Sequence, residues 1–73
     1  MTDRSRAQDI TVNGERHTVP VPLSVAQLLE HLHVDLRHVA VERNRALVPK
    51  RDYASVAVDA GDTFEIVTLV GGG

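Results

Sequence analysis

The alternation of apolar and polar residues near the start of the chain predicts two strands. Residues 10–19 alternate on either side of a central Asn13-Gly14. This dipeptide accepts the positive φ angles of a type I′ turn, so the segment is predicted to be a β-hairpin. Pro20 and Pro22 are expected to end the second strand, because proline has no N–H to donate to a neighbouring strand.

The apolar spacing then changes to that of a helix. Apolar residues recur at i, i+3, i+4 and i+7 and form a single stripe, namely Val25, Leu28, Leu29 and Leu32. Ser24 is the predicted N-cap, and Gln27 stands three residues later in the capping-box position. The helix is expected to end within residues 33–35 and to lay one face on a sheet.

The second half of the chain predicts further short strands. The pattern gives strands at 39–41 and 46–48, a helical turn at 50–54, a turn at 59–62, and a last strand at 63–70. The order is therefore β-β-α-β-β-turn-β. It indicates an α+β domain with one helix packed on a mixed sheet.

The predicted domain spans residues 9–70, between a flexible extension, 1–8, and a glycine tail, 71–73. Twelve apolar residues are expected to fill its core: Ile10, Val12, Val19, Val25, Leu28, Leu29, Leu32, Val39, Val41, Val48, Phe64 and Ile66. A chain of 73 residues leaves no room for a second domain.

Composition excludes several kinds of partner and site. The net charge is -2 and the sequence pI is about 6.0, so no basic surface for nucleic acid or anionic membrane is expected. No apolar run has the length of a membrane span or the pattern of a signal peptide. The chain has no cysteine, which excludes disulfides and thiolate sites. A cytoplasmic protein is the expectation.

An active site of the chain's own is not predicted. Each of its three serines has another expected place: Ser5 in the N-terminal extension, Ser24 at the helix cap and Ser55 in a loop. Asp59 and Asp62 flank a glycine, and a solvated turn accounts for them better than a general-acid pair does.

A metal site is not predicted either. The chain has four histidines, His17, His31, His33 and His38. His31 and His33 are two residues apart on the predicted helix and therefore point to different faces. Three ligands would have to come together from separate elements, so placement on the surface is the simpler interpretation.

Three glycines, Gly71 to Gly73, directly follow the last predicted strand. Without Cβ atoms they can pass through a slot too narrow for side chains, and extended they reach about 10 Å beyond the domain. An end with no function is the simpler alternative. The α-carboxylate of Gly73 is unreactive at neutral pH. Because the chain has no phosphate-binding loop or nucleophile, any activation of this carboxylate requires a partner enzyme.

Residues 9–73 resemble the ThiS family, the β-grasp sulfur carriers of thiamine biosynthesis. The matching segments are residues 10–15, 25–29, 39–44, 47–54, 59–62, 64–67 and the final glycines. The most specific of these is the segment Val-Pro-Lys-Arg-Asp-Tyr-Ala, residues 48–54, ahead of the Gly61-Asp62 turn. Asn44 is followed by arginine where the family often has Asn-Gly, which leaves the type of the second turn open.

The resemblance implies a β-grasp fold of four to five strands and a role as a protein co-substrate rather than an enzyme. It implies that a ThiF-type adenylyltransferase uses ATP to activate the carboxylate of Gly73. Sulfur from cysteine, delivered through a cysteine desulfurase, then forms a thiocarboxylate that is donated to the thiazole synthase ThiG. Gly71 and Gly72 are implied to pass through the partners' channels. No cofactor bound to the chain itself is implied.

Binding to these partners requires a docking surface, for which Val67 and Leu69 are the candidates. Strand alternation is equally compatible with both residues lying in the core. Two other functions remain open. One is the small sulfur carrier subunit of molybdopterin synthase, and the other is a ubiquitin-like modifier or interaction module.

Overall fold

The structure is a computed structural model and describes residues 6–69. It consists of five strands, one α-helix and two short 3-10 turns: β1 (Arg6–Val12), β2 (Glu15–Val21), α1 (Val25–His31), a 3-10 turn (Leu36–His38), β3 (Val39–Arg43), β4 (Ala46–Val48), a second 3-10 turn (Lys50–Asp52) and β5 (Thr63–Thr68). The predicted α+β order is confirmed. The second 3-10 turn lies where a helical turn was expected.

The strands form one mixed sheet in the order β2-β1-β5-β3-β4. The last strand, β5, lies at its centre, parallel to β1 and antiparallel to β3. The two hairpins of the chain therefore flank the strand that leads to the C-terminal segment. The predicted strand 63–70 extends to Thr68, and Val70 lies outside the described residues.

The first hairpin has the predicted turn. Asn13 and Gly14 both have positive φ angles, 50° and 84°, as a type I′ turn requires. The strands on both sides are longer than expected. Arg6 pairs with Val21, so residues 6–8 belong to β1 rather than to a flexible extension.

The prediction that Pro20 ends the second strand is wrong. Pro20 lies within β2 and pairs with Ala7. In an antiparallel hairpin, hydrogen-bonded pairs of residues alternate with non-bonded pairs. The count starts from Val12 and Glu15, the hydrogen-bonded pair that closes the turn. Pro20 falls on a non-bonded pair, and β2 is an edge strand. Its missing N–H would therefore point away from the sheet, where proline is tolerated.

The helix begins with the predicted capping box. The main-chain amide of Gln27 donates to Ser24 Oγ at 3.1 Å, and the main-chain amide of Ser24 donates to Gln27 Oε1 at 2.9 Å. The side chains thus satisfy N–H groups that have no partner within the helix.

The helix ends earlier than predicted, at His31. His33 adopts a positive φ angle of 60°. Its amide donates to the Glu30 carbonyl at 3.0 Å, and the Val34 amide donates to the Leu29 carbonyl at 2.9 Å. This is a Schellman motif with histidine at the position where glycine is commonest, so the termination signal was not visible in the sequence.

The core lies between α1 and one face of the sheet. Ten of the twelve predicted core residues are buried, while Leu32 and Ile66 are only partly buried at its edge. Three further buried residues were not predicted: Leu23, Tyr53 and Val58. Tyr53 is buried with its hydroxyl satisfied, because that hydroxyl donates to the Val39 carbonyl at 3.3 Å. No helix among residues 6–69 is long and apolar enough to cross a membrane.

Candidate docking face and the anchors of the central strand

Alternate residues of β5 point to opposite sides of the sheet. Phe64 faces the helix and is fully buried, whereas Val67 and Leu69 are 57 % and 49 % exposed. Both lie on the face that α1 does not cover. The alternative that these two residues belong to the core is therefore excluded.

Two neighbours extend this apolar surface. Ala40 of β3 lies directly opposite Val67, and Leu47 of β4 is 67 % exposed on the same face. Ala40, Leu47, Val67 and Leu69 together are called the open-face patch below. Leu47 was not predicted as part of this surface, although its position next to the inward-facing Val48 indicated an outward direction.

An acidic pair borders the open-face patch. Glu42 of β3 lies directly opposite Glu65 of β5, and both are exposed. Neither carboxylate is in an ion pair with any residue of the range 6–69. Like charges in directly opposite positions destabilise a sheet. The pair is therefore unfavourable in the free domain.

The first hairpin contacts β5 through the side chain of Asn13. The Ile66 amide donates to Asn13 Oδ1 at 2.7 Å, and Asn13 Nδ2 donates to the Ile66 carbonyl at 3.1 Å. The main-chain amide of Asn13 donates to the Phe64 carbonyl at 2.8 Å. The turn residue thus satisfies three polar groups of β5.

The second hairpin contacts β5 in a similar way. The Thr63 amide donates to Asn44 Oδ1 at 2.9 Å, and the Asn44 amide donates to the Thr63 carbonyl at 2.7 Å. Asn44 and Arg45 both have positive φ angles, 51° and 72°. The turn is therefore also of type I′, which the sequence left open.

Asp62 joins this second turn to the start of β5. It is only 6 % exposed. Its carboxylate accepts hydrogen bonds from Arg43 Nε at 2.7 Å, the Asp59 amide at 2.8 Å and Asn44 Nδ2 at 3.0 Å. Arg43 Nη2 also donates to Asp59 Oδ2 at 2.9 Å. These four residues are called the Asp62 cluster.

The electrostatics of the Asp62 cluster indicate a structural role. Burial alone would raise the pKa of Asp62, but the hydrogen bonds from Asp59, Asn44 and Arg43 outweigh it and hold the pKa below its ordinary value. Asp62 therefore stays ionised at neutral pH and is not a general acid. The solvated turn predicted for this segment describes Asp59, which is exposed, but not Asp62.

A family model, that of the ThiS family, matches residues 6–73. The chain belongs to the ThiS family. The match covers every described residue and the final glycines, and the resemblance found in the sequence is confirmed.

Similar proteins from other organisms agree with membership of the ThiS family. The crystal structure of the thiamine biosynthesis protein ThiS from Geobacter metallireducens superposes with a TM-score of 0.78 and 33 % identity, covering 90 % of this chain and 100 % of that chain. The uncharacterized protein ycf40 of Porphyra purpurea is 39 % identical over 88 % of this chain and 90 % of its own length. The predicted β-grasp fold is thus confirmed.

A third similar protein is much longer than this chain. The thiazole synthase of Paramagnetospirillum magneticum is 50 % identical over 64 residues, which are 88 % of this chain and 20 % of that protein. This ThiS-family chain therefore spans about a fifth of the length of that enzyme.

The predicted tail residues Gly71, Gly72 and Gly73 lie outside the described residues. Leu69, the last described residue, donates its amide to the His38 carbonyl at 2.7 Å. Within residues 6–69, no three histidine or carboxylate side chains come together in a group that could hold a metal ion.

Proposed function

We propose that this chain is a sulfur carrier of thiamine biosynthesis and that Gly73 carries the sulfur as a thiocarboxylate. The observation that carries the proposal is the match to the ThiS family, which extends through Gly73. The likeness to the Geobacter metallireducens thiamine biosynthesis protein supports the same pathway. In this role the chain is a protein co-substrate and not an enzyme.

The proposed chemistry takes place on one carboxylate. A ThiF-type adenylyltransferase joins the carboxylate of Gly73 to the α-phosphate of ATP and releases pyrophosphate. A persulfide, formed from cysteine by a cysteine desulfurase, attacks the acyl-adenylate through its terminal sulfur and displaces AMP, which gives an acyl disulfide. A thiol then reduces the S–S bond by thiol–disulfide exchange, and a thiocarboxylate remains on Gly73. Gly71 and Gly72 have no Cβ atoms, which allows them to enter a narrow channel of the partner.

The proposed acceptor of the sulfur is the thiazole synthase ThiG. The thiazole synthase of Paramagnetospirillum magneticum contains a stretch that is half identical to this chain. A carrier-like region and an enzyme within one polypeptide are held at high effective concentration. That arrangement supports a partnership between this chain and a separate thiazole synthase.

The open-face patch is the proposed docking surface for these partners. Fixing three tail residues costs roughly 3 to 6 kcal/mol at about 1 to 2 kcal/mol per residue. Contacts made by the folded domain must offset this cost. Val67 and Leu69 are exposed apolar side chains near the end of β5, and Leu47 is exposed on the same face, directly opposite Glu42. Burial of these side chains against a partner is favourable.

Intact-mass measurement tests the proposed chemistry. The chain is incubated with ATP, cysteine, a cysteine desulfurase, a ThiF-type enzyme and a reducing thiol such as dithiothreitol. We expect a mass gain equal to the replacement of one oxygen by one sulfur, and no gain after deletion of Gly73. Lysine-linked conjugates in place of this product would indicate a modifier. Transfer to the large subunit of molybdopterin synthase but not to ThiG would indicate the other carrier class.

A pair of variants tests the docking surface. Leu69→Asp is expected to lower the affinity for the ThiF-type enzyme at least tenfold, because it removes an apolar contact and places a charge in the interface. Ala7→Asp is the matched control, since Ala7 is exposed at the far end of the sheet. Equal affinities of the two folded variants would rule out the open-face patch as the docking surface.

A further inference from the structure

The side chain of Asn13 completes the sheet where β1 ends. In the parallel ladder, the Thr11 amide donates to the Asp62 carbonyl at 2.9 Å, and the Asn13 amide donates to the Phe64 carbonyl at 2.8 Å. From Asp62 onward, every second residue thus bonds to the first hairpin, and Ile66 is the next in this series. The chain turns away at Asn13, with φ at 50°, before its backbone could reach Ile66.

The Asn13 amide group supplies the two ladder bonds that the backbone cannot make. Its oxygen accepts from the Ile66 amide at 2.7 Å, in place of a main-chain carbonyl of β1. Its nitrogen donates to the Ile66 carbonyl at 3.1 Å, in place of a main-chain amide. One side chain therefore acts as one further residue of the neighbouring strand.

The last residues of β5 make few contacts on the side that faces β1. The β3 side remains paired to the end, through Val39 and Thr68 and then through the Leu69 amide, which donates to the His38 carbonyl at 2.7 Å. On the β1 side, backbone pairing stops at Phe64. No residue of the described range pairs with Thr68 on that side, so the bonds between Asn13 and Ile66 are the last contacts there.

We propose that Asn13 is a positioning residue for the reaction of the C-terminal segment. Its side-chain amide fixes the backbone of Ile66 on the β1 side of β5, so that less of this strand has to be ordered when a partner enzyme takes up the end of the chain. This inference rests on the proposed function. Fixing the backbone of one residue changes an equilibrium constant by about fivefold to thirtyfold, which sets the size of the expected effect.

The test compares Asn13→Gly with Asn44→Gly. Both variants lose two side-chain hydrogen bonds to the β5 region at a type I′ turn, and glycine keeps the positive φ angle. Only Asn13 bonds to the half of β5 that leads to the C-terminal segment. Asn13→Asp is a second variant, which keeps one acceptor for the Ile66 amide but places an oxygen against the Ile66 carbonyl.

Two measurements are made on each variant. The first is hydrogen exchange of the Ile66 amide, which we expect to become about tenfold faster in Asn13→Gly and to stay unchanged in Asn44→Gly. The second is adenylation by a ThiF-type enzyme. There we expect KM for the carrier to rise about tenfold in Asn13→Gly and kcat to remain within twofold. Asn13→Asp is expected to raise KM by a similar factor.

The outcomes separate the inference from the proposed function. Faster exchange at Ile66 with an unchanged KM would overturn the positioning role. An equal rise of KM in Asn44→Gly would also overturn it, since the effect would then follow general stability. Failure of the wild-type chain to be adenylated would instead contradict the proposed function, while the exchange measurement would still test the anchoring of Ile66.

Discussion

The two hairpin turns anchor the central strand with the same side-chain chemistry in different electrostatic surroundings. In both turns an asparagine with positive φ accepts a β5 amide through its Oδ1 atom, Ile66 for Asn13 and Thr63 for Asn44. The Nδ2 atom of Asn13 donates to a neutral carbonyl. The Nδ2 atom of Asn44 donates instead to the Asp62 carboxylate.

The difference divides β5 into two parts. Its first residue is held by a network that includes a buried carboxylate and a guanidinium, which makes strong charge-assisted bonds. Its later residues are held on the β1 side by neutral bonds from a single exposed side chain. The two ends of the strand therefore differ in what anchors them: charged groups contribute at Thr63, whereas neutral bonds from Asn13 and pairing with β3 hold the later residues.

Removal of the Asp62 carboxylate is expected to have the largest effect on the difference between the two turns. Asp62→Ala leaves three donors without their acceptor, including the Arg43 guanidinium. We expect the free energy of unfolding to fall by about 3 kcal/mol, as measured by urea denaturation. Asp59→Ala is the control. Its side chain is 71 % exposed, so a loss below about 1 kcal/mol is expected. Equal losses would mean that burial of Asp62 is unimportant.

A fall in pH should weaken the contacts of Asn44 and Asp62 with the start of β5 before it weakens those of Asn13. Because the folded pKa of Asp62 lies below its unfolded value of about 3.9, its contribution is complete above that value and is lost as the pH falls through the folded pKa. We expect the stability difference between the wild type and Asp62→Asn to shrink below about pH 4. Urea denaturation between pH 7 and pH 2 measures it. A constant difference would contradict the depressed pKa.

Arg45→Gly makes the second turn resemble the first. Arg45 has a φ angle of 72°, which is costly for a residue with a Cβ atom, whereas Gly14 has the corresponding conformation without that cost. We expect a gain of about 0.5 to 1 kcal/mol in the free energy of unfolding, after allowance for the larger entropy of unfolded glycine. Gly14→Arg is the reciprocal variant and should lose a similar amount. A destabilised Arg45→Gly would show that the arginine side chain makes a compensating contact.

Much of this arrangement was readable from the sequence, but the anchors were not. Asn13-Gly14 predicted its own turn, because the preference for positive φ is local. The bonds of Asn13 to Ile66 span 53 residues, and no local pattern encodes them. The burial of Asp62 was missed for the same reason, since two of its three partners, Arg43 and Asn44, come from the second hairpin. The exposure of Val67 needed the sheet order, because alternation alone does not say which face the helix covers.

The smallest expected effect concerns the segment of β5 between the two anchors. There we expect the strand pairing to be weakened, because Glu42 and Glu65 lie directly opposite each other without an ion pair to any described residue. Glu65→Thr removes the repulsion and introduces a residue with high strand propensity. We expect the free energy of unfolding, measured by urea denaturation, to rise by about 0.2 to 1 kcal/mol relative to the wild type. This difference should shrink at high salt, because salt screens the repulsion in the wild type. Glu30→Gln, on the exposed face of the helix, removes a negative charge with little change in helix propensity and should give no gain. A loss of stability in Glu65→Thr would mean that the acidic pair is not a source of strain.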